Sequence, residues 1–329
     1  MRFIKLIFVL SVLAAFVFGH FLFTILKQKD LTEPQTIKIE SGEGLNSISS
    51  LLESEGIIDN RAYFKLTAFL VNADRALKAG IYNISGPISI YDLIKLLSGN
   101  DHSDIVLTIP EGFSIKDIEE KIKEISGETI DLNNFKIRDF KGEFTFLASI
   151  PGDRSLEGFL FPDTYRLRPN FEPQDFIKKA LTNFEAKLTQ ELRDEIKNQK
   201  KGLYEIITMA SLIEKEVPDH NEQKIVSGVL WKRFEAGVAL QVDATIAFIL
   251  NKKTSKILLE DLKVPSPYNT YLNRGLPPGP IANPGISAIM AAVFPEKSPY
   301  WYYLSKPTGE TVFSKTLDEH NEAKARYLR

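Results

Sequence analysis

Residues 203–218 read LYEIITMASLIEKEVP and predict a helix that ends at a proline. At about 100° per residue, Glu214 falls on the same side of this helix as its apolar residues, which are Leu203, Ile206, Ile207, Ala210 and Ile213. A carboxylate in an apolar stripe is costly to bury unless its pKa rises or it gains a partner. Glu214 is therefore the residue from which a functional hypothesis starts.

Two interpretations of Glu214 follow from the helical pattern. A raised pKa suits a carboxylic general acid near neutral pH, and a helix end beside a loop can border a cleft. The alternative is a structural ion pair with Lys215 or Arg233, and the pattern alone favours this alternative. Glu216 points to a different face of the helix, so we interpret it as a supporting or surface charge.

A proline-rich run follows this helix at residues 265–285 and contains six prolines, which exclude a helix or a central strand. Because proline fixes φ and glycine permits unusual φ, the run predicts one rigid irregular path. Tyr268 and Tyr271 can stack on sugar rings, while Asn269 and Thr270 can bond sugar hydroxyls. A purely structural loop packed on the core remains an open alternative.

The rest of the second half predicts three further helices and a hairpin. The helices cover residues 173–200, which are heavily charged and expected to face solvent, residues 221–236, and a last segment from about Thr316, where Glu319 completes a capping box. Residues 301–305 and 311–314 alternate as strands, with a turn at 307–309.

The N-terminus contains an uncharged run at residues 6–26, flanked by Arg2 and Lys5 before it and by Lys27 and Lys29 after it. Its 21 residues suffice to cross a hydrocarbon core of about 30 Å. A cleaved signal peptide is the competing interpretation, but its apolar core is normally shorter. We therefore predict an uncleaved single-pass membrane helix. Its flanking charges are nearly balanced, so its orientation depends on the large segment that follows.

Residues 36–84 show the order strand, helix, helix, strand. An alternating strand at 36–40 precedes a glycine turn and an amphipathic segment, and a helix at 61–71 and a strand at 77–84 follow. This layout resembles a LysM-type sugar-binding module, although a small α+β packing domain explains it equally well. Residues 105–118 repeat strand, glycine turn and helix, and residues 126–153 are polar and turn-rich.

Composition excludes several classes of function. The 329 residues include no cysteine, which excludes disulfides, a thiol nucleophile and a cysteine-ligated metal. The net charge of −2 gives no electrostatic case for nucleic-acid binding. The four histidines are scattered without ligand-like spacing, so we expect neither a metal nor another cofactor.

Five blocks in the second half carry a family resemblance. They are EGFLFPDTY at 157–165, ASLIEKE at 210–216, LQVDAT at 240–245, the proline-rich run, and VFSKTLDEHN at 312–321. In this order they resemble the MltG (YceG-like) family of endolytic murein transglycosylases. Val217 and Pro218 close the EKE helix differently from the polar residues expected there.

The resemblance implies that Glu214, the first glutamate of the EKE block, is the catalytic residue. It also implies a glycan cleft, to which we assign Glu216, Gln241, Asp243, Tyr268, Asn269, Thr270 and Tyr271. The implied reaction cuts the MurNAc–GlcNAc bond within peptidoglycan strands and leaves a 1,6-anhydro end, which can terminate nascent chains. Implied partners are glycan strands, the bacterial cytoplasmic (inner) membrane and peptidoglycan synthases, with the catalytic part on the periplasmic or extracytoplasmic side.

The predicted fold class is α+β. The predicted division is a cytoplasmic N-terminus (1–5), a transmembrane helix (6–26), a linker (27–35), a LysM-like module (36–100), a second small α+β module with a connector (101–153), and a catalytic domain (154–329). Two other functions stay open. One is a hydrolase of the same glycan that uses Asp243 or Glu216 as a second carboxylate, and the other is a non-catalytic wall-binding scaffold.

Overall fold

The computed structural model describes residue 16 and residues 18–31, 33–99, 105–127, 129–168, 171–252, 257–306 and 308–327. The chain divides into two compact units. The N-terminal unit comprises residues 1–105 and 166–171, and the C-terminal unit comprises residues 106–165 and 172–329. The class is α+β, as predicted, with helices predominating.

The N-terminal unit packs three helices on a two-stranded sheet. Its elements are β1 (Gln35–Ile39), α1 (Leu45–Ser54), α2 (Arg61–Leu70), β2 (Gly80–Ile84) and α3 (Ile90–Ser98). The strands are antiparallel, with Gln35 opposite Ile84. Alternation along β1 turns Ile37 and Ile39 into a core that all three helices complete. The predicted order of strand, helix, helix and strand is confirmed.

The C-terminal unit is built mainly of helices. The strands β3 (Ile105–Thr108) and β4 (Thr164–Leu167) pair with each other, and each has residues in both units. The other elements of the C-terminal unit are α4 (Ile115–Ser126), α5 (Pro173–Lys187), α6 (Gln190–Asn198), α7 (Leu203–Glu216), α8 (His220–Glu235), α9 (Asp243–Leu250), α10 (Ile286–Val293), β5 (Tyr302–Ser305), β6 (Thr311–Ser314) and α11 (Leu317–Tyr327). Short 3₁₀ turns lie at Leu132–Asn134, Ile137–Asp139, Thr145–Leu147 and Asp261–Lys263.

Helix α7 is the centre of this unit and packs against α8, α9 and α10. Every residue from Ile206 to Ile213 is buried, including Thr208 and Ser211, which the helical pattern predicts on the opposite, polar side. Their hydroxyl groups donate to the carbonyls of Tyr204 and Thr208, which satisfies them without water. The helix is therefore buried almost all round.

The predicted single, solvent-facing helix over residues 173–200 is wrong in two respects. The segment forms two helices, because Thr189 caps a new helix by accepting a hydrogen bond from the Leu192 N–H. Helix α5 also buries one apolar face, formed by Phe176, Ile177, Ala180, Leu181 and Phe184. The sequence-based prediction rested on the high proportion of charged residues in the segment and therefore overlooked this apolar face.

The turn-rich segment 126–153 contributes to the core of the C-terminal unit. Its irregular path, broken by three of the 3₁₀ turns, buries apolar residues at short intervals, namely Leu132, Ile137, Phe140, Phe146 and Leu147. It belongs to the same compact unit as residues 172–329. The units describe packing only, so the LysM-like and catalytic domain assignments stay predictions.

The predictions for the C-terminal end of the chain can be checked in the structure, whereas those for the N-terminal end can be checked only in part. The predicted hairpin is confirmed, with Tyr302 opposite Ser314, and Thr316 accepts the Glu319 N–H at the start of α11. The Glu319 carboxylate bonds the N–H of Lys315 instead of closing the box on Thr316. Residues 1–5, and residues 6–15 and 17 of the N-terminal run, lie outside the described residues. Among described residues, helices are too short or too polar to cross a bilayer.

Candidate active site

A broad cleft of about 1440 Å³ opens in the C-terminal unit. Its wall combines the loop at Glu111–Gly112, the start of α9, the β5–β6 hairpin and the end of α7. Lys215 and Glu216 are among the described residues that line it, whereas Glu214 is not. The cleft is therefore bordered by the helix end that the sequence singles out, and Glu214 lies immediately behind its wall.

Glu214 is half-buried in the last turn of α7. The N–H of Gly285 donates to its Oε2 at 3.0 Å. Burial raises the pKa of Glu214, the Gly285 hydrogen bond partly offsets this, and the nearby Glu111 raises it further. Neither cation considered as an ion-pair partner hydrogen-bonds Glu214 among the described contacts, since Lys215 donates to the Gly112 carbonyl and Arg233 to Gln241, although the charge of Lys215 lowers the pKa of Glu214.

Two glycines bring the backbone close to Glu214. Gly112 has a φ of +77°, and a Cβ there would lie 3.5 Å from the Glu214 Cγ. At Gly285 a Cβ would lie 1.8 Å from a carboxylate oxygen of Glu111, which no side chain tolerates without displacing Glu111. The carboxylates of Glu111 and Glu214 thus approach Gly285 together, and Gly112 joins Glu214 to the cleft wall.

Asn283 fastens the proline-rich run to two distant loops. Its Oδ1 accepts the N–H groups of Gly158 and Leu160, each at 2.9 Å. Its Nδ2 donates to the Phe113 carbonyl and to the buried Glu157 carboxylate. All donors and acceptors of this buried amide are used, so it fixes the path that leads to Gly285.

Glu157 closes the same junction. Its two carboxylate oxygens accept the Ile115 N–H at 3.0 and 3.1 Å, at the start of α4. Burial raises the pKa of Glu157 to about 8, although the Ile115 hydrogen bond opposes this. Gly158 follows with a φ of +90°, and a Cβ there would lie 2.6 Å from Pro280. This contact explains why a glycine stands there.

Glu216 belongs to a different network on the cleft wall. It accepts hydrogen bonds from the Tyr303 hydroxyl and from the Ala244 N–H. Burial raises the pKa of Glu216 to about 7, with Asp243 adding to the rise and both hydrogen bonds opposing it. Glu216 is thus less a surface charge than the sequence suggests, and it faces the cleft directly.

Asp243, Tyr271 and Gln241 lie in the same wall, as the assignment to a cleft requires. The Tyr271 hydroxyl donates to Asp243 in a short hydrogen bond. Arg233 donates to the Gln241 amide oxygen at 2.8 Å, and the backbone of Gln241 adopts a φ of +55°. The carboxylates of Glu216 and Asp243, two tyrosines and a guanidinium therefore form one polar surface.

Asn269 and Thr270 are fully buried, which argues against the predicted contact with sugar hydroxyls. The Asn269 amide donates to the carbonyls of Leu262 and Val264. Thr270 accepts the Val242 N–H, and its carbonyl accepts the Gln241 N–H. Both residues shape the loops that carry Asp243 and Tyr271, because their polar groups are occupied inside the protein.

Tyr268 is half-buried and is not among the described residues that line the cleft. Its ring packs on Phe248 at 5.2 Å between centroids, and its hydroxyl lies close to Gly279. Of the tyrosines assigned to sugar stacking, Tyr271 therefore faces the cleft. Glu111, Tyr303 and Asn283 were not identified from the sequence as residues of the site. For Glu111, the adjacent Gly112 was a signal in the sequence that could have indicated it.

Comparison with known proteins places this arrangement in a family. The model of the YceG-like family matches residues 37–326. The chain belongs to the YceG-like family. It is 33% identical over 331 residues to a Bacillus subtilis (strain 168) protein named endolytic murein transglycosylase, and this match covers 95% of this chain and 90% of that protein.

Two further relatives agree with this. A Streptococcus pneumoniae (serotype 2) protein of the same name is 29% identical over 89% of this chain, but the match spans only 58% of that longer protein. A crystal structure of a yceG-like protein from Listeria monocytogenes matches with a TM-score of 0.62 and 32% identity, covering 89% of this chain and 99% of the other. Fold and sequence thus point to the same family.

Proposed function

We propose that this protein is an endolytic transglycosylase of bacterial peptidoglycan, with Glu214 as its single acid and base. The observation that carries the proposal is the half-buried Glu214 carboxylate, whose pKa is raised by burial, and which meets Glu111 and the Gly285 N–H beside the cleft. Its similarity to relatives named endolytic murein transglycosylase supports the substrate class.

The reaction needs only one carboxylate. Most glycosidases use a second one as a nucleophile or to activate water. Here Glu214 gives its proton to the bridging oxygen after N-acetylmuramic acid, and the bond from C1 to that oxygen breaks. The 6-hydroxyl oxygen of the same sugar bonds to C1, and its proton returns to Glu214. This internal nucleophile has a high effective molarity, so the product is a 1,6-anhydro end.

The surroundings of Glu214 fit an acid that must first hold a proton. The Gly285 N–H engages Oε2, and we assign Oε1 to proton transfer. The negative charge of Glu111 favours the protonated form of Glu214. Glu216, Asp243 and Tyr271 are assigned to binding and orienting the glycan from the cleft wall.

Glu214→Gln tests the proposal on purified uncrosslinked glycan strands. We expect a loss of at least about 100-fold in turnover, the usual contribution of a general acid. The wild-type products should carry anhydro ends when weighed by mass spectrometry. An unchanged unfolding temperature would exclude a folding defect, and retained turnover in the variant would overturn the assignment.

One alternative function has a specific observation in its favour. Glu216 lines the cleft with a pKa of about 7, and Asp243 lies in the same wall, so two carboxylates are available for hydrolysis. Hydrolysis adds a water to each new end, whereas transglycosylation does not, so product masses separate the two reactions. Binding to glycan without turnover would instead support the scaffold hypothesis.

We further propose that residues 6–26 anchor the chain in the bacterial cytoplasmic membrane, with the chain that follows them on the periplasmic or extracytoplasmic side. The 21-residue uncharged run supports this. The N-terminal unit is then a LysM-like module close to the membrane, and nascent strands and their synthases are the expected partners. Retention of the chain in membranes washed with alkaline carbonate would test the anchor.

A further inference from the structure

The outer face of α2 is more apolar than a helix in water should be. Leu66, Phe69, Leu70 and Val71 at its C-terminal end are 49, 66, 58 and 42% exposed. The opposite face, with Phe64, Thr67 and Ala68, is buried in the core of the N-terminal unit. A contiguous apolar patch of this kind marks a contact with a protein or a membrane.

The end of the apolar N-terminal run lies against the same helix. Residues 18–26 are helical, and the Phe21 ring stacks on Tyr63 of α2 with centroids 5.9 Å apart. Ile25 is buried, and Lys29 exchanges two backbone hydrogen bonds with Ile88. The end of the run is therefore fixed to the rest of the N-terminal unit. Because residues 63, 66 and 70 share one side of α2, the run contacts the same side of this helix that carries the exposed Leu66 and Leu70.

The position of the Phe21–Tyr63 contact along the N-terminal run predicts how deep α2 lies in the bilayer. Phe21 lies five residues before Leu26, the last apolar residue of the run, which corresponds to about 7.5 Å along a helix. If the run crosses a bilayer, Phe21 and its partner Tyr63 lie about that far below the end of the apolar segment. Interfacial helices bury their apolar faces by about 5–10 Å, so the two depths agree.

We infer that the outer face of α2, formed by Leu66, Phe69, Leu70 and Val71, inserts into the interfacial layer of the bilayer. The inference rests on the proposed membrane anchor. Arg75 beyond the end of α2 is exposed, with Asp74 at 3.9 Å, and suits anionic headgroups, whereas Arg61 at the start of α2 is paired with Glu53. The N-terminal unit is then held on the membrane surface by two contacts and does not swing on the linker at 27–35.

Single labels can test this, because the chain contains no cysteine. Phe69→Cys and Lys38→Cys are made in the full-length chain, and each is coupled to an environment-sensitive fluorophore. Lys38 is exposed on β1, whose neighbours Ile37 and Ile39 face the core, so it lies on the other side of the sheet from the helices. Both chains are reconstituted in vesicles of phosphatidylethanolamine and phosphatidylglycerol, with ordinary or brominated acyl chains.

We expect the label at position 69 to emit at shorter wavelength and to lose most of its fluorescence in brominated lipid, while the label at 38 loses little. Equal, weak quenching at both positions in vesicles that carry the chain through flotation would overturn the inference and leave the anchor intact. A chain that does not float with vesicles would overturn the anchor and this inference together. Neither result affects the assignment of Glu214, which the glycan digestion tests separately.

Discussion

Glu214 and Glu216 are two residues apart on α7, yet their surroundings differ in kind. Glu214 is held by a backbone N–H where three distant loops meet, and among its charged neighbours the exposed Glu111 raises its pKa while Lys215 and His220 lower it. Glu216 is held by the Tyr303 hydroxyl and the Ala244 N–H in a wall of polar side chains. Burial raises the pKa of both glutamates, but the two carboxyl groups have different hydrogen-bond donors and different charged neighbours.

The difference suggests how one helix end can serve two purposes. A carboxyl group that transfers a proton needs few fixed donors, because each donor stabilises the charged form and lowers the pKa. Glu214 meets this condition, since the donor to its carboxylate among the described residues is the Gly285 N–H. Glu216 accepts from a tyrosine as well as from the backbone, and although its pKa is still raised to about 7, these two donors fix the carboxyl group in the wall, so we assign it to orienting a bound glycan.

The largest expected effect comes from comparing Glu216→Gln with Glu214→Gln. A glutamine at 216 still accepts from Tyr303, so we expect kcat/KM to fall by about tenfold or less, equivalent to about 1.4 kcal/mol. The same change at 214 should cost at least about 100-fold. Steady-state assays on glycan strands measure both, and a greater loss at 216 would reverse the assigned roles.

The second prediction concerns the frame that holds Glu214. Asn283→Ala leaves the buried N–H groups of Gly158 and Leu160 without their acceptor, so we expect the free energy of unfolding to fall by about 3 kcal/mol. Denaturant unfolding measures this. Asn273→Ala is the matched control, because its exposed amide bonds only two loop carbonyls and should cost under about 1 kcal/mol. Equal losses of unfolding free energy in the two variants would show that the hydrogen bonds of Asn283 do not stabilise the loops around Glu214.

The sequence predicts the helix, the apolar setting of Glu214 and the rigidity of the proline-rich loop, because each depends on local periodicity or on backbone chemistry. It does not predict that Glu111 and Glu157 come to the same junction, because they lie about 100 and 57 residues away along the chain. Hydrogen bonds such as those of Asn283 leave no periodic signal. Asn269 and Thr270 show the converse error, since a polar residue type does not reveal that its partners are internal.

The buried Glu157, which bonds Asn283, should make the stability of the folded protein depend on pH. Its folded pKa of about 8 exceeds its ordinary value of 4.5, so between these pH values the folded state binds more protons than the unfolded state. Stability from this group is present below about pH 4.5 and is lost as pH rises toward 8. We expect thermal unfolding temperatures to fall across this range, and Glu157→Gln to flatten the slope.

The interpretation of that slope requires a control, because Glu216 also has a raised pKa, about 7. Glu216→Gln should remove part of the slope near pH 7, and the double variant should remove more than either change alone. A slope in the double variant as steep as that of the wild type would show that neither carboxylate is held protonated by the fold, since only the smaller contribution of groups such as Glu214 should remain.

The smallest effect should come from Glu111, and it separates the two glutamates most directly. Its negative charge raises the pKa of Glu214, so Glu111→Gln should lower that pKa. Because the acid must be protonated to act, kcat/KM falls as pH rises through its pKa, and this alkaline limb should move to lower pH in the variant. Glu205→Gln, in the first turn of α7, should leave the limb unmoved. If Glu216 were the acid, Glu111→Gln would leave the limb in place, because Asp243 is the charged neighbour that raises the pKa of Glu216.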